Sequence, residues 1–195
     1  KHHLTVNKII IKLQPFIQQL RYINKFTPIK QLKHLYYLHA YPHFTNTITI
    51  WGTSNPNKTY IQPLIRTHKK IIRLLKNPPP RTHTKPLFNE LQLLNIPNLY
   101  ILNVCVIMHP YIHKEKTELD TRPEHNHNYK PIEQIHSHNT RNSKQKLYYI
   151  DANMNHFTKE YTKTWNTIPL ELRSITSLQV FKKHLKQHLL QLNRI

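Results

Sequence analysis

Apolar side chains return every third or fourth position along much of this chain, and that spacing predicts a succession of helices. From about Leu4 to Leu20 the residues Ile9, Leu13, Phe16, Ile17 and Leu20 fall on one helical face. A second helix is expected to start near Pro28, where a missing N–H has no helical partner to lose. Ile29, Leu32, Leu35, Tyr36 and His39 make its apolar stripe. Thr45 to Trp51 alternates β-branched residues, but Asn46 and the sole glycine, Gly52, leave helix end and short strand both open.

The most informative helix is predicted from about Lys58 to Lys76, between Pro56 and the triplet Pro78, Pro79, Pro80. At about 100° per residue, Ile61, Leu64, Ile65, His68, Ile72 and Leu75 form one face, and Arg66, Lys69, Arg73 and Lys76 stack along an adjoining stripe. Such a helix anchors by one edge and keeps the next edge wet, which suits contact with a phosphate backbone. An ordinary solvated charged face has the same pattern, so both readings stand at this level. Helices are also expected from about Pro86 to Leu94, from Asn98 to about His109, and from Thr176, where Gln179 offers a capping-box partner. On the last of these Leu178, Phe181, Leu185, Leu189 and Leu192 form a core edge, with Lys182, Lys183 and Lys186 off it.

The whole therefore reads as mainly α. Residues 1–110 make a helical region and 147–195 a carboxyl-terminal helical region. Between them residues 111–146, rich in histidine, proline and acids, read as a polar, partly disordered connector. From Leu91 to His113 there is no formally charged side chain, yet Gln92, Asn95, Pro97, Asn98, Asn103 and Pro110 favour a buried helix over a membrane span.

Composition adds charge to this outline. Twenty-nine Lys and Arg against nine acids give a net charge of +20, which makes a polyanion the expected partner. A second origin stays open, because Gly, Ala, Val, Asp and Glu, whose codons all begin with G, supply only 16 residues. A G-poor coding strand would leave a basic, His-rich protein without selection for binding. At 38% hydrophobic residues the core is expected to be lean and to rely on a partner region. Cys105, the single cysteine, excludes an internal disulfide and fits a reducing compartment, nuclear or cytoplasmic. It reads as a small buried hydrophobe, and Trp51 and Trp165 read as core aromatics.

Several short strings, taken in order, resemble the region downstream of the polymerase palm in LINE-type, non-LTR retrotransposon reverse transcriptases. Tyr36, Tyr37, Tyr41 and Pro42, then Trp51 and Gly52, resemble a helix-to-Trp-Gly passage of the thumb. Leu64, Lys69, Lys70 and Arg73 resemble the family's basic helix, with His68 where Gln is usual and Ile71 where Ala is usual. His83, Thr84, Pro86, Leu87, Phe88, Leu91, Leu94, Ile96, Pro97 and Tyr100 follow the string H-T-x-P-L-F-x-x-L-x-I-L-x-L-P-x-x-Y. His136, Asn139, Thr140 and Arg141 resemble a later H-x-Y-N-T-R element. Trp165, Asn166, Pro169, Glu171, Ser177, Phe181, Lys182, Leu185 and Leu189 follow a terminal W-N-x-L-P-x-E and S-x-x-x-F-K-x-x-L. Thr162, Lys163 and Thr164 replace the Gly-Pro-Lys that often precedes that Trp, so a distorted turn is expected there.

The resemblance implies a non-catalytic, thumb-like module, a fragment that grips an RNA and DNA template-primer through phosphate contacts and docks on an upstream palm. Arg66, Lys69, Lys70, Arg73 and Lys76 are the implied contacts, with Lys182, Lys183 and Lys186 behind them. Mg²⁺ would belong to the palm, since two-metal chemistry needs clustered carboxylates and only Asp120 and Asp151 occur among aspartates here. Three other readings remain: a generic basic RNA- or DNA-binding helical protein, a metal-dependent nuclease built on Asp120, His125 and His127, and a basic amphipathic protein on an anionic membrane. For metal, the pairs His109 with His113 and His184 with His188 have helical i, i+4 spacing but lack a closed ligand set.

Overall fold

The computed structural model describes residues 2–113, 129–131, 147–149 and 156–192. They are mainly α-helical, as the periodicity predicts. The chain divides into two compact units, Lys1–Asn103 with Lys186–Ile195, and Val104–Leu185.

The first unit is built on α1 (His2–Ile23) and α5 (Gln62–Lys76). His2 and His3 meet the ring of Tyr60 just before α5, and the Asn24 side-chain amide donates to the Leu74 carbonyl near its end, so the two helices run parallel. α1 buries Val6, Ile9, Leu13, Phe16, Ile17 and Leu20, at the i, i+3, i+4 spacing of one face. Pro15 sits on the exposed side of the same helix, where water can satisfy the carbonyl it leaves unpaired.

The second predicted helix is real but interrupted. α2 (Ile29–Leu35) passes into a π-helical segment, Tyr36–Ala40, and then α3 (Tyr41–Thr45). Pro42 cannot donate to the carbonyl four residues back, and the backbone widens so that the Tyr41 N–H reaches Tyr36 instead. Leu32 and Tyr36 from the expected stripe are buried, whereas Ile29 is exposed. The ambiguous Thr45 to Trp51 stretch resolves as a helical turn, α4 (Ile48–Trp51), with the Trp51 indole N–H donating to the Asn46 carbonyl at 2.9 Å.

The most specific string of the sequence is a packing device. Thr84, Leu87, Phe88, Leu91, Leu93, Leu94, Ile96, Leu99 and Tyr100 are all buried. α6 (Thr84–Glu90) ends when Gln92 turns left-handed at φ 54 and Leu93 N–H bonds back to the Phe88 carbonyl. Asn95 then opens α7 (Ile96–His113), its side-chain oxygen accepting from the Asn98 N–H at 2.9 Å with Pro97 in the first turn. α7 runs four residues past the predicted end at His109, over Pro110. Asn98 in turn donates to the Leu189 carbonyl of α10 (Leu178–Leu192). On α1, α5 and α6 the helical phase buries Val6, Ile9, Leu13, Ile17, Leu20, Leu64, Ile71, Ile72, Leu75 and Leu87, and leaves Leu4 and Ile11 exposed.

In the second unit β1 (Tyr129–Pro131) pairs antiparallel with β2 (Leu147–Tyr149), followed by α8 (His156–Asn166), α9 (Leu170–Arg173) and the first part of α10. β1 lies inside the stretch read as a connector, and aromatic-rich Tyr-Lys-Pro and Leu-Tyr-Tyr suit a short ladder. Residues 111–113 of that stretch belong to α7 instead, and 114–128 and 132–146 lie outside the described residues. Trp165 and Phe181 pack at 5.5 Å, and Cys105 is buried beside Val104 and Met108. Thr162, Lys163 and Thr164 lie within α8, so no turn stands there. α10 begins two residues after Thr176, with the Phe181 N–H on the Ser177 carbonyl, and its expected edge residues Leu178 and Leu192 are exposed.

With one glycine, left-handed positions fall to other residues: Thr47, Asn77, Arg81 and Gln92 all have positive φ. Thr47, at φ 52 before α4, is the most strained because it is β-branched. Thr47→Gly is expected to raise stability by about 1 kcal/mol, or a few degrees in Tm, read by thermal denaturation.

Candidate nucleic-acid interface

α5 is sharply two-faced. Leu64, His68, Ile71, Ile72 and Leu75 are buried on one side. Arg66, Lys69, Lys70, Arg73 and Lys76 are exposed on the other, within roughly 120° of helical arc. The sequence pattern placed the basic stripe correctly but missed Ile71, whose Lys69 and Lys70 neighbours disguised a core position, and counted Ile65, which is only half-buried.

Burial of the apolar side is completed by His68. Its ring lies 4.4 Å from Phe44, 4.9 Å from Phe88, and stacks on Tyr36. The Tyr36 hydroxyl and His68 Nε2 share a 3.0 Å hydrogen bond. Burial pushes the imidazole down to about 3, so it is neutral at pH 7, and pushes the Tyr36 phenol up. This residue carries no charge toward a ligand; it fixes the rotation of α5 and hence where the cations point.

The five cations are not equivalent. Lys76 Nζ pairs with the Glu90 carboxylate at 2.7 Å, and an Arg73 guanidinium nitrogen donates to the Thr82 carbonyl at 3.2 Å. These two clasp the loop and helix that follow α5. Among the described residues Arg66, Lys69 and Lys70 make no salt bridge. Glu90 is the first acid in the chain, while fifteen Lys and Arg precede it. The first unit therefore presents positive charge over most of its length with a single carboxylate to answer it.

On α10, Lys182 and Lys183 are exposed and Lys186 is half-buried. Each compact unit holds part of this set, Lys182 and Lys183 in one and Lys186 in the other.

The histidine pairs resolve differently. In the second unit His109 and His113 lie 4.5 Å apart, but each donates its Nε2–H to a carbonyl, Ile175 at 2.7 Å and Arg173 at 2.8 Å. They clasp backbone and present no open ligand set. Among the described residues no group of three His, Cys, Asp or Glu could hold a metal ion, and Asp120, His125, His127, His136, Asn139, Thr140 and Arg141 lie outside them. Burial also raises the Cys105 thiol, which keeps it protonated. A groove of about 350 Å³ in the first unit is lined by Asn89, Gln92, Gln187, Leu190 and Gln191, which supply amides but no acid, base or nucleophile. Among the described residues no helix is long and apolar enough to cross a membrane.

No family model, curated protein or solved structure matches this chain.

Proposed function

We propose that this chain grips nucleic acid through the phosphate backbone, with Arg66, Lys69 and Lys70 of α5 as the principal contacts and Arg73 and Lys76 holding the adjoining loop and α6. One observation carries the reading: the three α5 cations that make no salt bridge among the described residues, Arg66, Lys69 and Lys70, lie on a single helical arc, opposite a buried face, in a stretch that has no carboxylate before Glu90. A fixed array of this kind suits phosphates spaced along a strand, and it carries no base-reading pattern. The resemblance of the sequence strings to a non-LTR reverse transcriptase thumb supports the finer version, in which the bound strand is a template-primer duplex and the chemistry belongs to a palm.

The test is a salt series. Arg66, Lys69 and Lys70 changed together to Gln keep helix propensity nearly constant. The salt slope for an RNA–DNA duplex is then expected to become shallower by about two to three units, from roughly 0.7 to 0.9 per phosphate contact. Affinity should fall alike for unrelated sequences. A control set, Lys8, Lys12 and Lys58 to Gln, also removes three exposed charges and should do much less. Equal effects from the two sets in fluorescence anisotropy would leave a generically basic surface and no assigned site.

A further inference from the structure

The exit of α1 carries a second feature. Tyr22 is 77% exposed and Phe26 is 86% exposed, an unusual state for large aromatic side chains. Arg21 and Lys25, both exposed, alternate with them. The backbone here is ordered: Asn24 N–H bonds to Leu20, and the Phe26 and Thr27 N–H groups both bond to the Ile23 carbonyl. The Phe26 N–H reaches three residues back and the Thr27 N–H four, so α1 closes in a hydrogen-bonded turn that carries the exposed Arg21, Tyr22, Lys25 and Phe26 within six residues. Asn24, between them, donates its amide to the Leu74 carbonyl at 3.3 Å. That bond fixes the turn against the carboxyl-terminal half of α5, one residue beyond Arg73 and one helical turn beyond Lys70.

We propose that this turn is a stacking platform for unpaired bases of a single-stranded nucleic acid, with Tyr22 and Phe26 under the bases and Arg21 and Lys25 on the flanking phosphates. It rests on the nucleic-acid reading above and extends it from a duplex to a strand end or overhang. Two exposed aromatic rings on one short hydrogen-bonded turn, interleaved with cations, suit stacking on bases, because every base offers a π-face and every linkage a negative charge. Charge complementarity favours this occupant over a protein surface, for the cations stand in the acid-free part of the chain.

The experiment uses the full chain, a labelled oligouridylate and an abasic strand of the same length. Tyr22→Ala with Phe26→Ala is expected to weaken oligouridylate binding by roughly fivefold or more per ring, with the salt slope unchanged. The abasic strand should bind the variant and the parent equally. Arg21→Gln with Lys25→Gln should weaken both strands and flatten the slope by about 1.4, at roughly 0.7 per contact on a single strand. In the parent protein the ring protons of Tyr22 and Phe26 should shift upfield with oligouridylate and not with the abasic strand, which tests stacking without any substitution. An intact-to-abasic affinity ratio that the alanine pair leaves unchanged overturns the platform. So does binding to phosphatidylserine vesicles that survives excess oligouridylate and is lost in the alanine pair, which assigns the rings to a membrane surface. The α5 variant is read by duplex slope and the platform by the intact-to-abasic ratio, so either can fail while the other stands.

Discussion

Acidification from pH 7 to pH 5 is expected to remove about 2 kcal/mol of stability through His68 alone. Burial holds the folded imidazole near 3, against an ordinary value of 6.5. Above 6.5 neither state binds the proton and the residue contributes no pH dependence. Below it the unfolded chain takes up a proton that the folded chain refuses, so stability falls at about 1.4 kcal/mol per pH unit until the folded value is reached. Replacing His68 alone would strand the Tyr36 hydroxyl, which is buried and shares its hydrogen bond with His68. Tyr36→Phe with His68→Phe removes both polar partners and keeps two rings beside Phe44 and Phe88. Urea unfolding followed by circular dichroism should show nearly equal stability for the parent and the double variant at pH 7, and a much flatter acid limb for the variant. Burial of His109 lowers its imidazole too and leaves a residual acid slope in both proteins. Parallel acid limbs would mean that His68 titrates normally and that the ring cluster is open to water.

The periodicity that made His68 a core residue was legible because a helix repeats every 3.6 positions whatever its chemistry. The same rule oriented α5, gave α1 its buried face and marked the carboxyl-terminal helix. Its limits are equally physical. The π-helical step at Tyr36 depends on how the chain absorbs Pro42, and periodicity assumes that it does not have to. Whether Arg73 and Lys76 are free for a ligand depends on Thr82 and Glu90, partners that only the tertiary fold brings near. Tyr22 and Phe26 did carry a signal, two aromatic residues and two cations at i, i+4 spacing. Spacing alone does not show that both rings face water, which only the fold reveals.

Gly52→Ala is expected to destabilise the first unit by about 2 kcal/mol, within the range of overpacking a filled site. The reason is space. Gly52 has φ −75, which any residue adopts, so conformational freedom is not what the position requires. A Cβ there would sit 2.8 Å from a ring carbon of Tyr100 and 2.9 Å from Cγ1 of Ile48, and closer still to the Ile48 carbonyl oxygen. That oxygen already accepts the Gly52 N–H at 2.6 Å, so it cannot retreat without opening the end of α4. Tyr100 is buried in the string that links α6 to α7, and Trp51, one residue away, is held by the Asn46 carbonyl. Relief must therefore move α4 or the start of α7, both of which carry core side chains. The contrast with Thr47 is the sharper check, because the two sites differ in kind. Glycine should help at position 47, where φ is positive, and alanine should harm at position 52, where φ is ordinary but the neighbours are close. Thermal unfolding of the two single variants should move in opposite directions. An unchanged midpoint for Gly52→Ala would mean that Tyr100 and the end of α4 are looser than their contacts imply, and that the Trp-Gly passage is not a fixed point of the fold.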